Sequence, residues 1–147
     1  MNQSIYIGLD TGVKTGLAVW HSTAKALTRV ETVPIHRALE TVKAMAVEAK
    51  ELGNTLTVVF EDARQRKWIP NTGDIRREMG RRLGAGSVKR DARIWQDFLD
   101  DNKIAYLAVK PQQGWTKLSP EKFQAITGYT GRTSEHGRDA AMLVFGR

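Results

Sequence analysis

The chain of 147 residues contains no cysteine. That excludes disulfides, thiolate metal sites and thiol nucleophiles, suits a reducing compartment, and leaves oxygen and imidazole as the donors for any metal. Proline is scarce, with four residues, and no proline-rich linker, internal repeat or low-complexity segment divides the chain. Long apolar runs are missing as well. No window approaches the roughly 20 apolar residues of a membrane span, and the opening MNQSIYIGLD has no basic leader. A soluble cytoplasmic protein without a membrane partner is therefore expected. The length suits a single domain over residues 1–147, one that buries roughly 68–70% of the surface its unfolded form exposes.

Acidic residues are also in short supply, 16 against 23 lysines and arginines, for a net charge of +7. The excess is local. Arg64, Arg66, Lys67, Arg76, Arg77, Arg81, Arg82, Lys89, Arg90 and Arg93 face only Asp74, Glu78 and Asp91, and this block carries the whole net charge. So dense a basic stretch, interrupted by Gly73, Gly80, Gly84 and Gly86, reads as a surface that meets a polyanion. A solvated helix face is the plainer alternative.

Hydrophobic spacing supplies the organisation. Ser4 to Asp10 is a short apolar run that ends in the turn Thr11-Gly12-Val13-Lys14-Thr15-Gly16, and an apolar run resumes from Leu17 to Trp20. This predicts a strand, a tight turn and an antiparallel strand. A third strand is expected from Ala26 to Val33, ended by Pro34. Leu39, Val42, Met45, Ala46, Ala49 and Leu52 recur at helical spacing and predict a helix from Ile35 to Leu52, closed by Gly53. Thr55 to Phe60 reads as a buried strand leading into Glu61-Asp62.

The basic stretch reads as loop to about Asp74 and as helix beyond, with Ser87 expected to cap a helix carrying Val88, Ala92, Ile94, Trp95, Phe98 and Leu99. A strand from Ile104 to Val109 follows. Ser119-Pro120-Glu121-Lys122 has the Ser cap and first-turn proline of a helix start, and a last helix is expected from about Ser134 to Phe145. The order βββαβαβαα implies an α/β protein with a mixed sheet covered by helices.

Three acidic positions far apart in the sequence carry the chemistry. Asp10 and Glu61 each follow an apolar run, where a buried strand leaves its sheet. If those strands are neighbours, the two carboxylates come together and repel unless a cation fills the gap. Asp139 lies near the start of the last helix, and His136, three residues earlier, shares its face. Oxygen donors with one imidazole suit Mg²⁺ or Mn²⁺, and two such ions can hydrolyse a phosphodiester. Taken singly, Asp10 could instead open a turn, Glu61 could be an exposed strand end and Asp139 could favour a helix dipole.

At these residues the chain resembles the RuvC-type Holliday-junction resolvases, crossover junction endodeoxyribonucleases of the ribonuclease H-like superfamily. The matching pieces are Ile7-Gly8-Leu9-Asp10-Thr11-Gly12 with Thr15-Gly16-Leu17-Ala18, then Val58-Val59-Phe60-Glu61, then Glu135-His136-Gly137-Arg138-Asp139-Ala140-Ala141. They stand in the family order and span almost the whole chain. The resemblance implies a ribonuclease H-like fold, with a mixed five-stranded sheet whose first three strands are antiparallel. It implies that Asp10, Glu61, His136 and Asp139 hold two Mg²⁺ ions, with Mn²⁺ as a substitute, and that Lys110 and Lys122 stand near the scissile phosphate. It also implies a homodimer that nicks symmetry-related strands of a four-way DNA junction and leaves 5′-phosphate ends.

The chain departs from that pattern where the family often carries an aromatic wedge, three residues after the second acid. Here the position is Arg64, and Trp68, farther on, is a candidate to stack on an unpaired base. Arg64, Arg66, Lys67, Trp68, Arg76, Arg77, Arg81, Arg82, Lys89 and Arg90 are the expected nucleic-acid contacts. Strand alternation points Glu61 and Asp62 to opposite faces, so only one can join Asp10, and the resemblance selects Glu61. Glu135 is a weaker candidate ligand than His136 because it lies about 100° away round the helix. Other readings stay open: a related nuclease acting on other branched DNA or on RNA–DNA substrates, or a junction-binding protein without catalysis. An actin-like ATPase shares the Asp-Thr-Gly turn, but this chain is short for a two-domain cleft and lacks a second glycine-rich phosphate loop.

Overall fold

The structure, a computed structural model, describes residues 2–65, 75–111 and 117–147, with the backbone alone for residues 63, 75–85 and 88. Five strands form one sheet: β1 (Ser4–Asp10), β2 (Lys14–His21), β3 (Ala26–Pro34), β4 (Thr55–Glu61) and β5 (Ala105–Val109), in the order β3-β2-β1-β4-β5. β1, β2 and β3 are antiparallel neighbours, whereas β4 runs parallel to β1 and β5 parallel to β4. The α-helices among the described residues are α1 (Ile35–Glu51), α2 (Ile75–Asp101), α3 (Pro120–Thr127) and α4 (Glu135–Val144). This is the α/β architecture anticipated from the sequence, with its mixed five-stranded sheet and antiparallel first three strands.

Strand alternation sorts the core into two layers. Ile5, Ile7, Leu9, Leu17, Val19, Val58 and Phe60 face α1 and α2, where they meet Ala38, Val42, Ala92, Trp95 and Leu99. Ala18, Trp20, Val30 and Val59 face the other way, against Phe123 of α3 and Ala140, Ala141 and Val144 of α4. Each large side chain fully buried in this way contributes about 1.5–3 kcal/mol. Among the described residues both sheet faces are therefore covered by helices.

The helix starts follow their side-chain signals. Ser119 caps α3, its hydroxyl accepting the Lys122 N–H at 3.2 Å, with Pro120 at the first helical position. Ser134 caps α4 in the same manner through the Gly137 N–H. The expectation for Ser87 is corrected. α2 runs unbroken from Ile75 to Asp101, so Ser87 lies inside it, and its hydroxyl accepts from Arg90 Nη2 at 3.2 Å rather than capping a new helix. Each of the interior glycines costs about 1 kcal/mol relative to alanine. Strong helix formers separate them, and Ala92, Trp95 and Leu99 bind the second half of α2 to the sheet, so the helix persists.

Candidate active site

β1 and β4 lie side by side in parallel with Leu9 across from Phe60. The next residues, Asp10 and Glu61, therefore leave the sheet together at its carboxyl edge, where open α/β sheets bind ligands. Leu9 and Phe60 belong to the layer under α1 and α2, so alternation puts Asp10 and Glu61 on the α4 side. Asp62 belongs to the opposite side. It is 6% exposed and is held by Arg64, which donates from Nε to Oδ1 at 2.8 Å and from Nη2 to Oδ2 at 2.9 Å, and from Nη2 again to Gln96 of α2.

α4 reaches Asp10 because three glycines let backbone touch backbone. A Cβ at Gly16 would overlap the His136 carbonyl, and one at Gly8 would overlap the Ala140 carbonyl. At Gly137 it would stand 3.0 Å from the Glu31 nitrogen. The Ser134 hydroxyl also bonds Thr32 Oγ1 at 2.5 Å, which pins the start of α4 to β3. Seated in this way, α4 brings His136 Nδ1 within 2.8 Å of Asp10 Oδ2. One turn on, Asp139 Oδ1 accepts the Lys117 N–H at 2.9 Å. The side chains of His136 and Asp10 are 52% and 33% exposed, so the pair is open to a ligand from solvent.

Partial burial pushes the Asp10 carboxyl above its ordinary range. The hydrogen bond and charge of His136 oppose that shift, and repulsion from Asp139 and Glu135 adds to it. A group destabilised by burial and by like charges gains from a bound cation. The donor set of carboxylates and one imidazole fits a hard divalent ion. The Asp10–His136 bond also resembles the carboxylate–histidine pairing that orients a ligating imidazole, since Nε2 is not used in it. Among the described residues, however, no three histidine, aspartate or glutamate side chains converge closely enough to enclose an ion. Asp10 and His136 are in contact, Asp139 and Glu135 act on Asp10 electrostatically, and Glu61 stands beside Asp10 by strand register.

The remaining expected residues fall into three groups. Lys110 is exposed one position past Val109, the residue paired with Glu61, and Lys122 is exposed in the first turn of α3. Lys89 and Arg90 are exposed on α2, while Arg64 is half-buried in its fork with Asp62. Arg66, Lys67 and Trp68 lie outside the described residues, and Arg76, Arg77, Arg81 and Arg82 lie on α2 with only their backbone described. Two residues near the site escaped sequence reasoning. Lys117 contributes only its backbone N–H, which no side-chain pattern reveals, and the signal for Arg138 was a basic residue flanked by helix positions that are buried.

The strand order and layering define an α/β protein with a mixed five-stranded sheet, and Asp10 and Glu61 leave that sheet side by side at its carboxyl edge. No protein-family model and no curated protein matches the chain. Among solved structures, that of RuvC from Thermus thermophilus aligns with 96% of this chain and 91% of its own, at a TM-score of 0.45 and 16% identity. No helix among the described residues is long and apolar enough to cross a membrane.

Proposed function

We propose that the chain is a divalent-metal-dependent endonuclease that resolves four-way DNA junctions, acting as a homodimer that makes paired, symmetric nicks with 5′-phosphate ends. The observation that carries this reading is the meeting of two separate structural devices at one point. Adjacent parallel strands bring out Asp10 and Glu61, and α4, docked through glycines, sets His136 on Asp10 with Asp139 a turn away.

In this mechanism Asp10, Glu61, His136 and Asp139 would hold two Mg²⁺ ions, which when bound would supply Lewis acidity for phosphodiester hydrolysis. Asp10, destabilised by burial and by its acidic neighbours, would gain from bound cations. His136 is kept in one orientation by its 2.8 Å bond to Asp10. Lys110, one position past the residue paired with Glu61, and Lys122, exposed in the first turn of α3, would offset negative charge that grows on the phosphate as it becomes five-coordinate. The basic stretch of α2, with Lys89 and Arg90 exposed, holds the arms of the junction through their phosphates, which gives affinity without sequence information.

The deciding experiment compares a labelled mobile four-way junction with linear duplex, a replication fork and an RNA–DNA hybrid, in Mg²⁺ or EDTA, using wild type and Asp10→Asn. Paired metal-dependent nicks on the junction, absent from the variant, are expected. Equal cutting of every substrate would overturn the junction preference while keeping the metal site. Tight junction binding with no cleavage by wild type would overturn catalysis itself.

A further inference from the structure

Arg138 stands between His136 and Asp139 on α4 and is only 8% exposed. Among the described residues no acid pairs with it. Its guanidinium donates instead to three neutral oxygens: from Nε to the Leu118 carbonyl at 2.8 Å, and from Nη1 to the Thr133 carbonyl at 3.1 Å and to Thr133 Oγ1 at 3.0 Å. Burying a cation without a counter-charge is costly, and these charge-assisted bonds to fixed oxygens offset that cost only if the oxygens stay in place.

The oxygens belong to the two segments that flank Asp139. Leu118 follows Lys117, whose N–H holds Asp139 Oδ1 at 2.9 Å. Lys117 has φ of 59°, a left-handed conformation that a residue with a Cβ keeps only when its surroundings impose it. Thr133 precedes Ser134, the cap that fastens α4 to Thr32 of β3. One planar guanidinium thus spans the turn that grips Asp139 and the loop that begins the helix carrying it. An ammonium group is a point charge without that fork.

We infer that Arg138 is a positioning residue for Asp139: it locks the Lys117 turn against α4, so that the Asp139 carboxylate, with Oδ1 already held, is presented in a fixed orientation to a divalent cation. This rests on the reading of Asp139 as a metal ligand. Arg138 itself touches neither ion nor DNA.

The test is Mn²⁺ binding to the DNA-free full chain by calorimetry, beside the Mg²⁺ dependence of junction cleavage and junction affinity in EDTA. The proteins are wild type, Arg138→Lys, Arg138→Met and Thr133→Val. Removing a partner that orients a ligand weakens metal binding by about 10–100-fold. Arg138→Met is expected to fall in that range with junction affinity in EDTA unchanged, and Arg138→Lys is expected to rescue it only in part. Thr133→Val removes one of the three bonds without emptying the buried site, so it carries the test if Arg138→Met does not fold, and a smaller loss of Mn²⁺ affinity is expected from it. A folded Arg138→Met that binds Mn²⁺ as wild type does would overturn the inference alone, as would an unchanged Thr133→Val where Arg138→Met does not fold. Failure of the wild type to bind Mn²⁺ would overturn both the inference and the metal site beneath it.

Discussion

Gly16→Ala puts the docking of α4 to a direct test. The added Cβ would overlap the carbonyl oxygen of His136 and stand 3.0 Å from Asp10 Cβ. A backbone carbonyl in the first turn of a helix cannot swing aside as a side chain would, so α4 must shift as a body. Overpacking of this kind costs about 1–3 kcal/mol, which corresponds to about 2–12 °C in melting temperature for a chain of roughly this size. The same shift draws His136 Nδ1 away from Asp10 Oδ2, now at 2.8 Å, and a hydrogen bond is lost beyond about 3.5 Å. Thermal unfolding in EDTA measures the first effect, and the imidazole ¹⁵N signals of His136 measure the second. Gly86→Ala is the internal control. That glycine lies inside α2 with nothing within 4 Å of an added Cβ, so the substitution is expected to stabilise by about 0.5–1 kcal/mol. A Gly16→Ala protein that melts with wild type and keeps the His136 signals would refute the close seating of α4.

Three further expectations concern charge. Asp10 has a folded-state pKa above its ordinary 3.8, so the native protein holds that proton to higher pH and stability falls as pH rises through the window between the two values. Asp10→Asn is therefore expected to melt above wild type near neutral pH in EDTA, with the gain shrinking as pH falls to about 4, in a series of thermal melts. Arg64→Met strips the partner from buried Asp62 and is expected to cost about 2–3 kcal/mol in urea unfolding. The Arg64 hydrogen bonds hold the Asp62 carboxyl below its usual range, which stabilises above the ordinary pKa and is lost as pH falls through the lowered one. That acid sensitivity should vanish in the variant, and the salt slope of DNA binding should stay unchanged because the guanidinium is engaged within the protein. Lys89→Ala and Arg90→Ala, exposed on α2, should each weaken binding to all DNA sequences alike and reduce the salt slope by about 1.

Much of the fold was legible because its signals are local. An apolar run ended by a turn marked β1, alternation marked β3, the 3.6-residue period marked α1, and serine caps marked α3 and α4, all within one or two residues at those starts. That Glu61 and Asp62 point to opposite faces was legible for the same reason, whereas the choice of Glu61 came from the resemblance. Ser87 misled because a good capping residue in a glycine-broken stretch looks like a helix start. Whether the helix continues through it depends on what its far end packs against, and Trp95 and Leu99 settle that by burial in the sheet core.

The sequence by itself determined the elements other than the extent of α2, the acidic positions at two strand ends and the basic character of the stretch between β4 and the end of α2, because each of these depends on residues close together along the chain. Only the tertiary structure decided that β1 and β4 are parallel neighbours with Asp10 and Glu61 at one edge, and that Gly8, Gly16 and Gly137 let α4 come close enough to set His136 on Asp10. It also decided that Arg64 turns inward to Asp62 and that buried Arg138 ties two loops beside Asp139. Apart from the local Arg64–Asp62 and Arg138–Thr133 bonds, these contacts join segments distant in the chain, 126 positions apart for Asp10 and His136 and further for Gly8 and Ala140. Their existence depends on register and close packing, which no local window of sequence contains.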